Sequence, residues 1–397
     1  MWQGRRVVLG VTGGIAAYKS VLLARALTER GAKVDVVLTR GARNFVGPVT
    51  FEAVTHRPVR GSLWDRDGAL DHVTMGRDAE LILVAPATSH LLARAAVGMA
   101  DDLLTALLLA ATAPIVIAPA MNDEMFANPA TQANLGVLRA RGWIVLGPVA
   151  GPLAEGPSDR VGRMMEPELL LANAERVLHH NGPLSGRRVV VTAGPTREPI
   201  DPVRVISNRS SGKMGYHLAE ATWRRGAEVT LISGPTTLVP PAGVTLVRVE
   251  TTKEMAEAVV GAIAQADILL MAAAPADFRP ATASETKKPR VKGGLTLELV
   301  PTDDILQSTF AQRPPAITVV GFALETGDAV KKGREKLRDK ALDLIVINDA
   351  LQPGAGFDVD TNIVTILDRQ GREESVTLRS KAAVAEAILD AVERYRA

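Results

Sequence analysis

Short apolar runs alternate with segments of helical periodicity along most of the chain, and glycine-bearing turns separate many of them. This alternation is typical of β-α-β units, in which helical crossovers join parallel strands. Strands are predicted over 5–11, 33–38, 80–85, 114–118 and 143–147 in the first half, and over 187–192, 228–233, 244–249, 267–272, 317–322 and 343–347 in the second. Two alternating runs, 361–368 and 373–379, and a closing helix complete the pattern, which predicts an α/β protein.

The two halves of the chain begin alike. Each opens with GRRVV, at 4–8 and at 186–190, and continues through a glycine-bearing turn and a helical stretch to an RGA-x-V turn. The repetition predicts two doubly wound, three-layer α/β domains, 1–180 and 187–397, joined by the linker 181–186. In such domains ligands bind at the carboxyl ends of the strands.

Two apolar segments resemble membrane signals but contain residues that interrupt them. The N-terminal stretch 1–18 carries two adjacent glycines and runs directly into a helical pattern, unlike a signal peptide. Segment 103–121 is uncharged but contains two prolines, which would break a membrane helix. We therefore expect a cytoplasmic protein that does not bind a membrane.

The composition excludes several classes of function. The 397 residues contain no cysteine, which excludes disulfides, thiolate metal sites and cysteine nucleophiles. The six histidines lack a metal-binding spacing such as HExxH, so we expect no structural metal. Lysine plus arginine (46) nearly balances aspartate plus glutamate (44), and aromatic residues make up only 4%. Both values argue against a nucleic-acid-binding protein.

Three loops after predicted strands of the first half carry small or hydroxylated residues. Loop 10–16 has glycines that let a backbone approach a phosphate at a helix N-terminus, but its spacing is not GxGxxG. Thr39 and the loop 85–89 offer hydroxyls that would either bind phosphate or cap a helix. Each loop alone fits a tight turn as well as a ligand site.

Two side chains of the first half stand out for their chemistry. His72 lies in a polar stretch before a predicted strand. Histidine suits proton transfer near neutrality, although a lone histidine is more often structural. Asn122 follows a buried strand, where its amide would either cap the next helix or contact a ligand.

Five motifs of the first half, taken in order, resemble the flavin-dependent cysteine decarboxylase family, and within it the phosphopantothenoylcysteine decarboxylases. They are GVTGGIAAYK (10–19), LDHV (70–73), APAT (85–88), GMADDLL (98–104) and PAMNDEM (119–125). The resemblance implies a flavodoxin-like domain that binds FMN, with a catalytic His72 and a substrate-orienting Asn122. The FMN-binding positions that it implies are Gly13, Ile15, Thr39, Thr88, Met99, Ala100 and Asp101, and the substrate-binding positions are Met125, Arg163 and Met164.

One segment departs from that family. Its members usually carry a mobile flap of the form ACGxxGxGRM, whose cysteine supplies a proton late in the cycle. Here residues 154–164 read AEGPSDRVGRM, so Glu155 stands at the cysteine position and the spacing is about one residue longer. Glu155 is therefore a candidate proton donor, and water or another flap group is the alternative.

A long loop opens the second half. Residues 193–204 contain three prolines, which argue against regular secondary structure there. Residues 207–215 read SNRSSGKMG, a turn rich in Ser, Gly and Lys that suits an anion without matching the P-loop spacing. A loop of this length and composition either forms a site or is disordered, and the composition favours a site.

Together with AAAPADF (272–278), GFALET (321–326) and KLRDK (336–340), this loop resembles the phosphopantothenate–cysteine ligase family over 184–397. The resemblance implies that Asn208 stabilises an acyl-cytidylate, that Asp277 contacts the cytosine amino group, and that Lys287 or Lys288 lies in a mobile basic loop. Further nucleotide-binding positions that it implies are Ala273, Phe322, Lys336 and Lys340, and the substrate-binding positions are Ser210, Gly212 and Lys213. Lys336 and Lys340 are four residues apart in a predicted helix, so they lie on the same face of that helix.

Both resemblances together imply a bifunctional family that carries out two consecutive steps of coenzyme A biosynthesis. The ligase half would join cysteine to 4'-phosphopantothenate with CTP and Mg²⁺, through an acyl-cytidylate. The decarboxylase half would convert phosphopantothenoylcysteine to 4'-phosphopantetheine with FMN. The resemblance also implies trimeric decarboxylase domains and dimeric ligase domains, hence a dodecameric homo-oligomer.

Two alternatives remain open at this point. Both halves begin like Rossmann units, so a nicotinamide dehydrogenase is one of them, although neither half carries GxGxxG. The other is an active ligase whose first half binds flavin but is catalytically weak or regulatory, because the flap cysteine is missing. His72, Asn122 and the attached ligase motifs argue for catalysis by both halves.

Overall fold

The computed structural model describes residues 2–64, 70–287, 296–325, 327–349 and 359–397. It divides into two compact units, Met1–Leu178 and His179–Ala397, called here unit 1 and unit 2. Within the described ranges, we find no helix with the length and apolar character that a membrane crossing requires.

Unit 1 is built on a parallel, 5-stranded sheet with the order β2-β1-β3-β4-β5. Its elements are β1 (Arg6–Val11), α1 (Ala17–Glu29), β2 (Lys33–Leu38), α2 (Pro48–Thr55), α3 (Asp71–Asp78), β3 (Leu81–Ala87), α4 (Ser89–Val97), α5 (Leu103–Ala110), β4 (Ile115–Pro119), α6 (Asp123–Ala127), α7 (Pro129–Ala140), β5 (Ile144–Val145), β6 (Val149–Ala150), β7 (Val161–Arg163) and α8 (Pro167–Leu178). This strand order is that of flavodoxin-like folds, so the predicted fold is confirmed.

The strands of unit 1 are apolar almost throughout because helices cover both faces of the sheet. On one face, Leu9 and Val116 are fully buried in a core to which α1 and α8 contribute. On the other face, Ile82 and Ile117 are fully buried against α4, α5 and α7. The unit therefore has the three layers that the sequence predicts.

Unit 2 contains an 8-stranded sheet with the order β12-β11-β8-β13-β16-β17-β18-β19. Its elements are β8 (Arg188–Ala193), β9 (Arg197–Pro199), β10 (Val205–Ser207), α9 (Lys213–Arg224), β11 (Glu228–Ser233), β12 (Thr245–Arg248), α10 (Thr252–Ile263), β13 (Ile268–Met271), β14 (Phe278–Pro280), β15 (Leu299–Pro301), α11 (Ile305–Ser308), β16 (Thr318–Glu325), α12 (Ala329–Asp339), β17 (Leu344–Asp349), β18 (Thr361–Asp368), β19 (Glu373–Ser380) and α13 (Lys381–Arg396). Six neighbouring strands of this sheet are parallel and follow the Rossmann order, namely β12, β11, β8, β13, β16 and β17, which confirms the predicted fold. The last two strands, β18 and β19, are antiparallel.

The proline-bearing segment after β8 forms regular structure, so the prediction that its prolines preclude it is wrong. Strands β9 and β10 pair antiparallel, with Pro199 opposite Val205. A two-stranded ribbon has two open edges, where the missing N–H of a proline leaves no partner unsatisfied. Asp201 closes the turn between the strands, since its Oδ1 accepts hydrogen bonds from the amides of Val203 and Arg204 at 2.9 Å.

The strand order reverses beside the first strand of each unit. The reversal lies between β1 and β3 in unit 1 and between β8 and β13 in unit 2. Loops at the carboxyl ends of the strands diverge at such a point and leave a crevice, which is where ligands bind in doubly wound folds. The fold therefore directs attention to these two crevices.

Candidate active sites

A cavity of about 860 Å³ opens at the crevice of unit 1. It is lined by the loops that follow the strands β1 to β4 and by the segment between β6 and β7. The predicted positions that line it are Gly13, Ile15, Thr39, Thr88, Asn122, Met125, Glu155, Arg163 and Met164. The fold thus brings motifs that are far apart in the sequence to one cavity of cofactor size.

Close backbone contacts hold the loops around this cavity. A Cβ on Gly13 would lie 2.7 Å from the carbonyl carbon of Gly41, so only glycine fits there. The Thr12 hydroxyl donates to the carbonyl oxygen of Pro86 at 2.7 Å and accepts from the amide of Thr88 at 3.1 Å. The Thr88 hydroxyl also caps α4, so this residue is both a helix cap and a wall of the cavity.

Arg94 forms part of the cavity wall and pairs with two acidic residues. Its guanidinium contacts Asp101 and lies 2.8 Å from the Asp102 carboxylate. Burial pushes the pKa of Asp102 upward, but hydrogen bonds from Thr105 and Arg94 outweigh burial and hold that pKa below its ordinary value. Asp102 is therefore ionised at neutral pH, and the pairing fixes the segment before α5 against the cavity.

Asn122 both caps a helix and contacts the flap. Its Oδ1 accepts hydrogen bonds from the amides of Glu124 at 2.9 Å and Met125 at 3.3 Å, at the start of α6. Its Nδ2 donates to the carboxylate of Glu155. The capping interpretation of this residue is therefore confirmed, and its amide nitrogen contacts the flap, while its contact with a ligand stays a prediction.

The flap is an antiparallel pair of strands, β6 and β7, with Glu155 in the connecting segment. Gly162 anchors it to the loop after β4: a Cβ there would lie 2.6 Å from the carbonyl oxygen of Met121. The amide of Met121 in turn donates to the carbonyl oxygen of Gly162 at 3.0 Å. The anchor holds the flap beside Asn122.

Four predicted positions of the first half do not line the cavity. They are His72, Met99, Ala100 and Asp101. The polar stretch around His72 forms helix α3, and Nδ1 of its half-buried ring has no hydrogen-bond partner among the described residues. Asp101 contacts the cavity wall through Arg94. The structure therefore brings Asn122 and Glu155 together but leaves His72 outside the cavity of its own chain.

The residues of this cavity that the sequence did not predict include His90 and Lys19. His90 is exposed and lines the cavity at the start of α4. Lys19 is buried, and its Nζ donates to the Met164 carbonyl oxygen at 3.2 Å and to the Glu166 carboxylate at 2.9 Å. Lys19 belongs to a quoted motif, but no local pattern indicates that its ammonium group reaches the end of the flap.

A second cavity, of about 480 Å³, lies at the crevice of unit 2. The predicted positions that line it are Ser210, Gly212, Lys213, Ala273, Asp277, Phe322, Lys336 and Lys340. Asn348, Asn362 and Lys381 also line it, and the last two are buried. These three were missed, since they come from β17, β18 and α13, where no motif was recognised.

Asn208 lies beside the cavity of unit 2 and does not form part of its lining. Its Nδ2 donates to the carbonyl oxygens of Ala274 at 3.2 Å and Pro275 at 2.9 Å, and both of these residues line the cavity. The side chain therefore connects the loop 207–215 to the loop 272–278.

Two lysines bring positive charge to the wall of this cavity. Lys336 pairs with Glu325, and Lys340 lies 2.9 Å from Asp304. Burial pushes the pKa of Asp304 upward, but the hydrogen bond and charge of Lys340 outweigh burial and hold that pKa below its ordinary value. The two carboxylates therefore fix the positions of both ammonium groups.

The basic loop predicted near the nucleotide is only partly described. Lys287 is exposed and does not line the cavity, and Lys288 lies outside the described residues. In the part of the chain that the structure describes, no group of three or more His, Cys, Asp or Glu side chains is placed to hold a metal ion.

Comparison with known proteins gives consistent matches over the full chain. Residues 1–179 match the family described as Flavoprotein, and residues 184–395 match the DNA/pantothenate metabolism flavoprotein C-terminal domain. Three relatives carry the name Coenzyme A biosynthesis bifunctional protein CoaBC. They are from Vibrio vulnificus strain YJ016 (44% identical over 394 residues, 98% of each chain), Mycobacterium tuberculosis strain H37Rv (46% over 408 residues, 99% of this chain and 97% of the relative) and Bacillus subtilis strain 168 (44% over 397 residues, 99% and 97%).

Proposed function

This chain belongs to the family of coenzyme A biosynthesis bifunctional proteins, and on that premise we propose a division of labour between its two units. The ligase domain, 187–397, joins cysteine to 4'-phosphopantothenate using CTP. The decarboxylase domain, 1–180, converts the resulting phosphopantothenoylcysteine to 4'-phosphopantetheine using FMN, and 181–186 links the two. The observation that carries the proposal is that most of the motifs of each half contribute residues to one cavity at the crevice of their own sheet.

The cavity of unit 1 fits FMN. Its volume suits a cofactor, and the contact between Gly13 and Gly41 keeps side chains out of the loop where a backbone would approach a phosphate. Gly13, Ile15, Thr39 and Thr88 would hold the cofactor. When bound, FMN supplies a two-electron acceptor and donor, which no side chain of this chain provides.

The side chains of unit 1 orient the substrate and move protons. Asn122 already donates to the carboxylate of Glu155, so it presents a hydrogen-bond donor suited to the carboxylate that the reaction removes. Glu155 is the proposed acid for the protonation that follows the loss of CO₂. His72 is the proposed proton-transfer group, and it does not line the cavity of its own chain.

That position of His72 supports a homo-oligomer in which one copy completes the site of another. The proposed assembly has trimeric decarboxylase domains and dimeric ligase domains, hence a dodecamer. A cytoplasmic location of this assembly stays a prediction.

The side chains of unit 2 position charge for the ligation. Lys336 and Lys340 offset the negative charge of the triphosphate, and Asp277 contacts the cytosine. The substrate carboxylate attacks CTP and releases pyrophosphate, and the cysteine amine then displaces CMP from the acyl-cytidylate. Mg²⁺ is proposed to bind mainly through the triphosphate, which is its usual mode in such sites.

The test of this function is to incubate the full chain with 4'-phosphopantothenate, CTP, Mg²⁺ and cysteine and to follow the products by mass spectrometry. We expect CMP and phosphopantothenoylcysteine first, then 4'-phosphopantetheine, from a protein that purifies with a yellow chromophore identified as FMN. Accumulation of the amide alone would favour the weak or regulatory first domain. Absence of the amide would contradict the ligase assignment.

Replacing Glu155 with glutamine tests the acid role of the flap. Glutamine keeps the shape of the side chain but cannot donate a carboxylic proton. In a single turnover we expect CO₂ release at the normal rate and a slower reduction of the ene-thiol, by about 10²–10⁴-fold, with the oxidised ene-thiol intermediate detected by mass spectrometry. Glu124→Gln, which alters an exposed carboxylate paired with Arg160, is the matched control. Wild-type rates of both steps in Glu155→Gln would assign the proton to water or to another flap group.

A further inference from the structure

The loop that follows β13 forms one wall of the cavity of unit 2. Residues 272–277 all line that cavity, and the last of them, Asp277, is the residue proposed to contact the cytosine. These residues lie outside the helices and strands, so no regular ladder of hydrogen bonds fixes them. The position of Asp277 therefore depends on the groups that hold the loop from behind.

The residue before Asp277 is buried, and threonine hydroxyls bond both of its backbone polar groups. The amide of Ala276 donates to the hydroxyl oxygen of Thr196 at 2.9 Å, and its carbonyl oxygen accepts from the hydroxyl of Thr302 at 2.6 Å. A buried backbone group that loses its partner is costly, so these hydroxyls hold the chain beside Asp277. Thr302 lines the cavity, whereas Thr196 is fully buried and does not.

Thr196 is one end of a buried chain of hydrogen bonds that leads away from the cavity. Its hydroxyl oxygen lies 2.8 Å from that of Thr252, which in turn lies 2.8 Å from Oε1 of Glu198. The same Oε1 accepts from the amide of Thr252 at 2.8 Å, at the start of α10. All three residues are buried, and none of them lines the cavity.

The carboxylate gives this chain one direction. A carboxylate only accepts hydrogen bonds, and a hydroxyl has a single proton to donate. Thr252 donates that proton to Glu198, because its other acceptor, the carbonyl oxygen of Ala276, is farther away at 3.4 Å. Thr196 then donates to Thr252 and accepts from the amide of Ala276. Hydrogen bonds aligned in this way strengthen one another.

We propose that Glu198, Thr252 and Thr196 are positioning residues that set the preference of the ligase for cytosine over uracil. They act through the amide of Ala276 on Asp277, whose carboxylate accepts from the cytosine amino group. Uracil has a carbonyl oxygen at that position and offers no such donor. An acceptor discriminates between the two bases only while the residues behind it hold it in place. This inference rests on the proposed ligase activity and on the proposed contact of Asp277.

The experiment measures ligation by the full chain with CTP and with UTP. Thr196→Val keeps the shape of the side chain but leaves the amide of Ala276 without its acceptor. We expect kcat/KM for CTP to fall about five- to fiftyfold, through a higher KM for CTP. The value for UTP and the KM values for 4'-phosphopantothenate and cysteine should change less than about twofold, because their contacts are elsewhere. Thr196→Ser keeps the hydroxyl and should recover most of the loss.

Two variants test the far end of the chain. Glu198→Ala removes the acceptor that orders the hydroxyl protons, so the ratio of kcat/KM for CTP to that for UTP should fall about two- to tenfold. Glu198→Gln retains an oxygen that accepts both bonds from Thr252 and should stay within about twofold of the wild type. Adding Glu198→Ala to Thr196→Val should cause no further loss, because Glu198 reaches the loop only through Thr196.

Thr222→Val is the matched control. Thr222 is a buried threonine of α9, and its hydroxyl makes no hydrogen bond with any residue that the structure describes. The same substitution there removes a buried hydroxyl of unit 2 without touching the chain. We expect the kinetic constants of this variant to equal those of the wild type for all substrates.

Three results would overturn the inference while the ligase assignment stands. They are an unchanged ratio of kcat/KM for CTP to that for UTP in Thr196→Val, an equal loss with both nucleotides, and additive losses in the double variant. A wild-type enzyme that forms the amide equally well with UTP would remove the proposed contact of Asp277 and this inference with it. A wild-type enzyme that forms no amide would overturn the proposed function itself. Thermal unfolding shows whether each variant is folded, and Glu198→Ala decides if Thr196→Val is not.

Discussion

Replacing Asn208 with alanine is expected to lower the rate of ligation by about 10²–10³-fold, the usual effect of removing a donor that stabilises a developing negative charge. Decarboxylation of supplied phosphopantothenoylcysteine should continue at the wild-type rate, because Asn208 lies in unit 2. Both rates are measured on the same preparation by mass spectrometry. Asn181→Ala, which alters an exposed asparagine of the same unit, is the matched control.

The products of the Asn208→Ala variant distinguish two roles of this side chain. The structure has its amide bonded to the carbonyl oxygens of Ala274 and Pro275, so its loss also frees one loop from the other. If Asn208 stabilises the intermediate, acyl-cytidylate should form and escape into solution, with the KM for CTP unchanged. If it only positions the loops, the KM for CTP should rise and no acyl-cytidylate should be found. Equal loss of both activities would indicate misfolding and contradict a local role.

The sheets of this protein could be predicted from the sequence because their strands are buried on both faces. Segments such as 33–38 and 228–233 are short, apolar and bounded by glycine-bearing turns, and the structure has strands at these residues. The edge strand β5 is only Ile144–Val145, shorter than predicted, because only β4 pairs with it. Periodicity predicts a strand well where packing surrounds it and poorly at an edge.

The short hairpins could not be predicted in the same way. Strands β9 and β10 are three residues long and include a proline, so they carry no periodic signal. They form because a turn closed by Asp201 brings them together. The low strand propensity of proline argued against these two strands, but the turn geometry outweighed that propensity.

The residues of the candidate sites also differ in whether the sequence could predict them. Residues in loops directly after strands, such as Gly13 and Asp277, were predicted to contact ligands, and the structure has them in the walls of the two cavities. Lys19 gave no such signal. Its surroundings come from a segment far away in the sequence, 164–166. Only the fold creates this neighbourhood.

Replacing His72 with asparagine is expected to lower the rate of decarboxylation by about 10²–10⁴-fold, the usual cost of losing a positioned proton-transfer group. Ligation should be unaffected, and FMN should remain bound because the proposed partner of His72 is the substrate. Flavin absorbance, CO₂ release and amide formation measure the three properties on one sample. His90→Asn is the informative companion, since His90 is the histidine that lines this cavity. Loss of activity in His90→Asn alone would transfer the role to His90.

Complementation between variants tests whether His72 acts in the site of another copy. A mixed oligomer of His72→Asn chains and Asn122→Asp chains contains sites in which an intact His72 meets an intact Asn122 only if the two residues come from different copies. Aspartate keeps the oxygen that caps α6 but loses the amide donor, so the second variant retains its helix. We expect each variant alone to be inactive in decarboxylation and the mixture, dissociated and reassembled, to recover part of the activity. A mixture as inactive as its components would mean that His72 reaches the substrate of its own chain through a movement of α3. Full activity of His72→Asn alone would instead give His72 a structural role in that helix, where its buried Nδ1 has no hydrogen-bond partner among the residues that the structure describes.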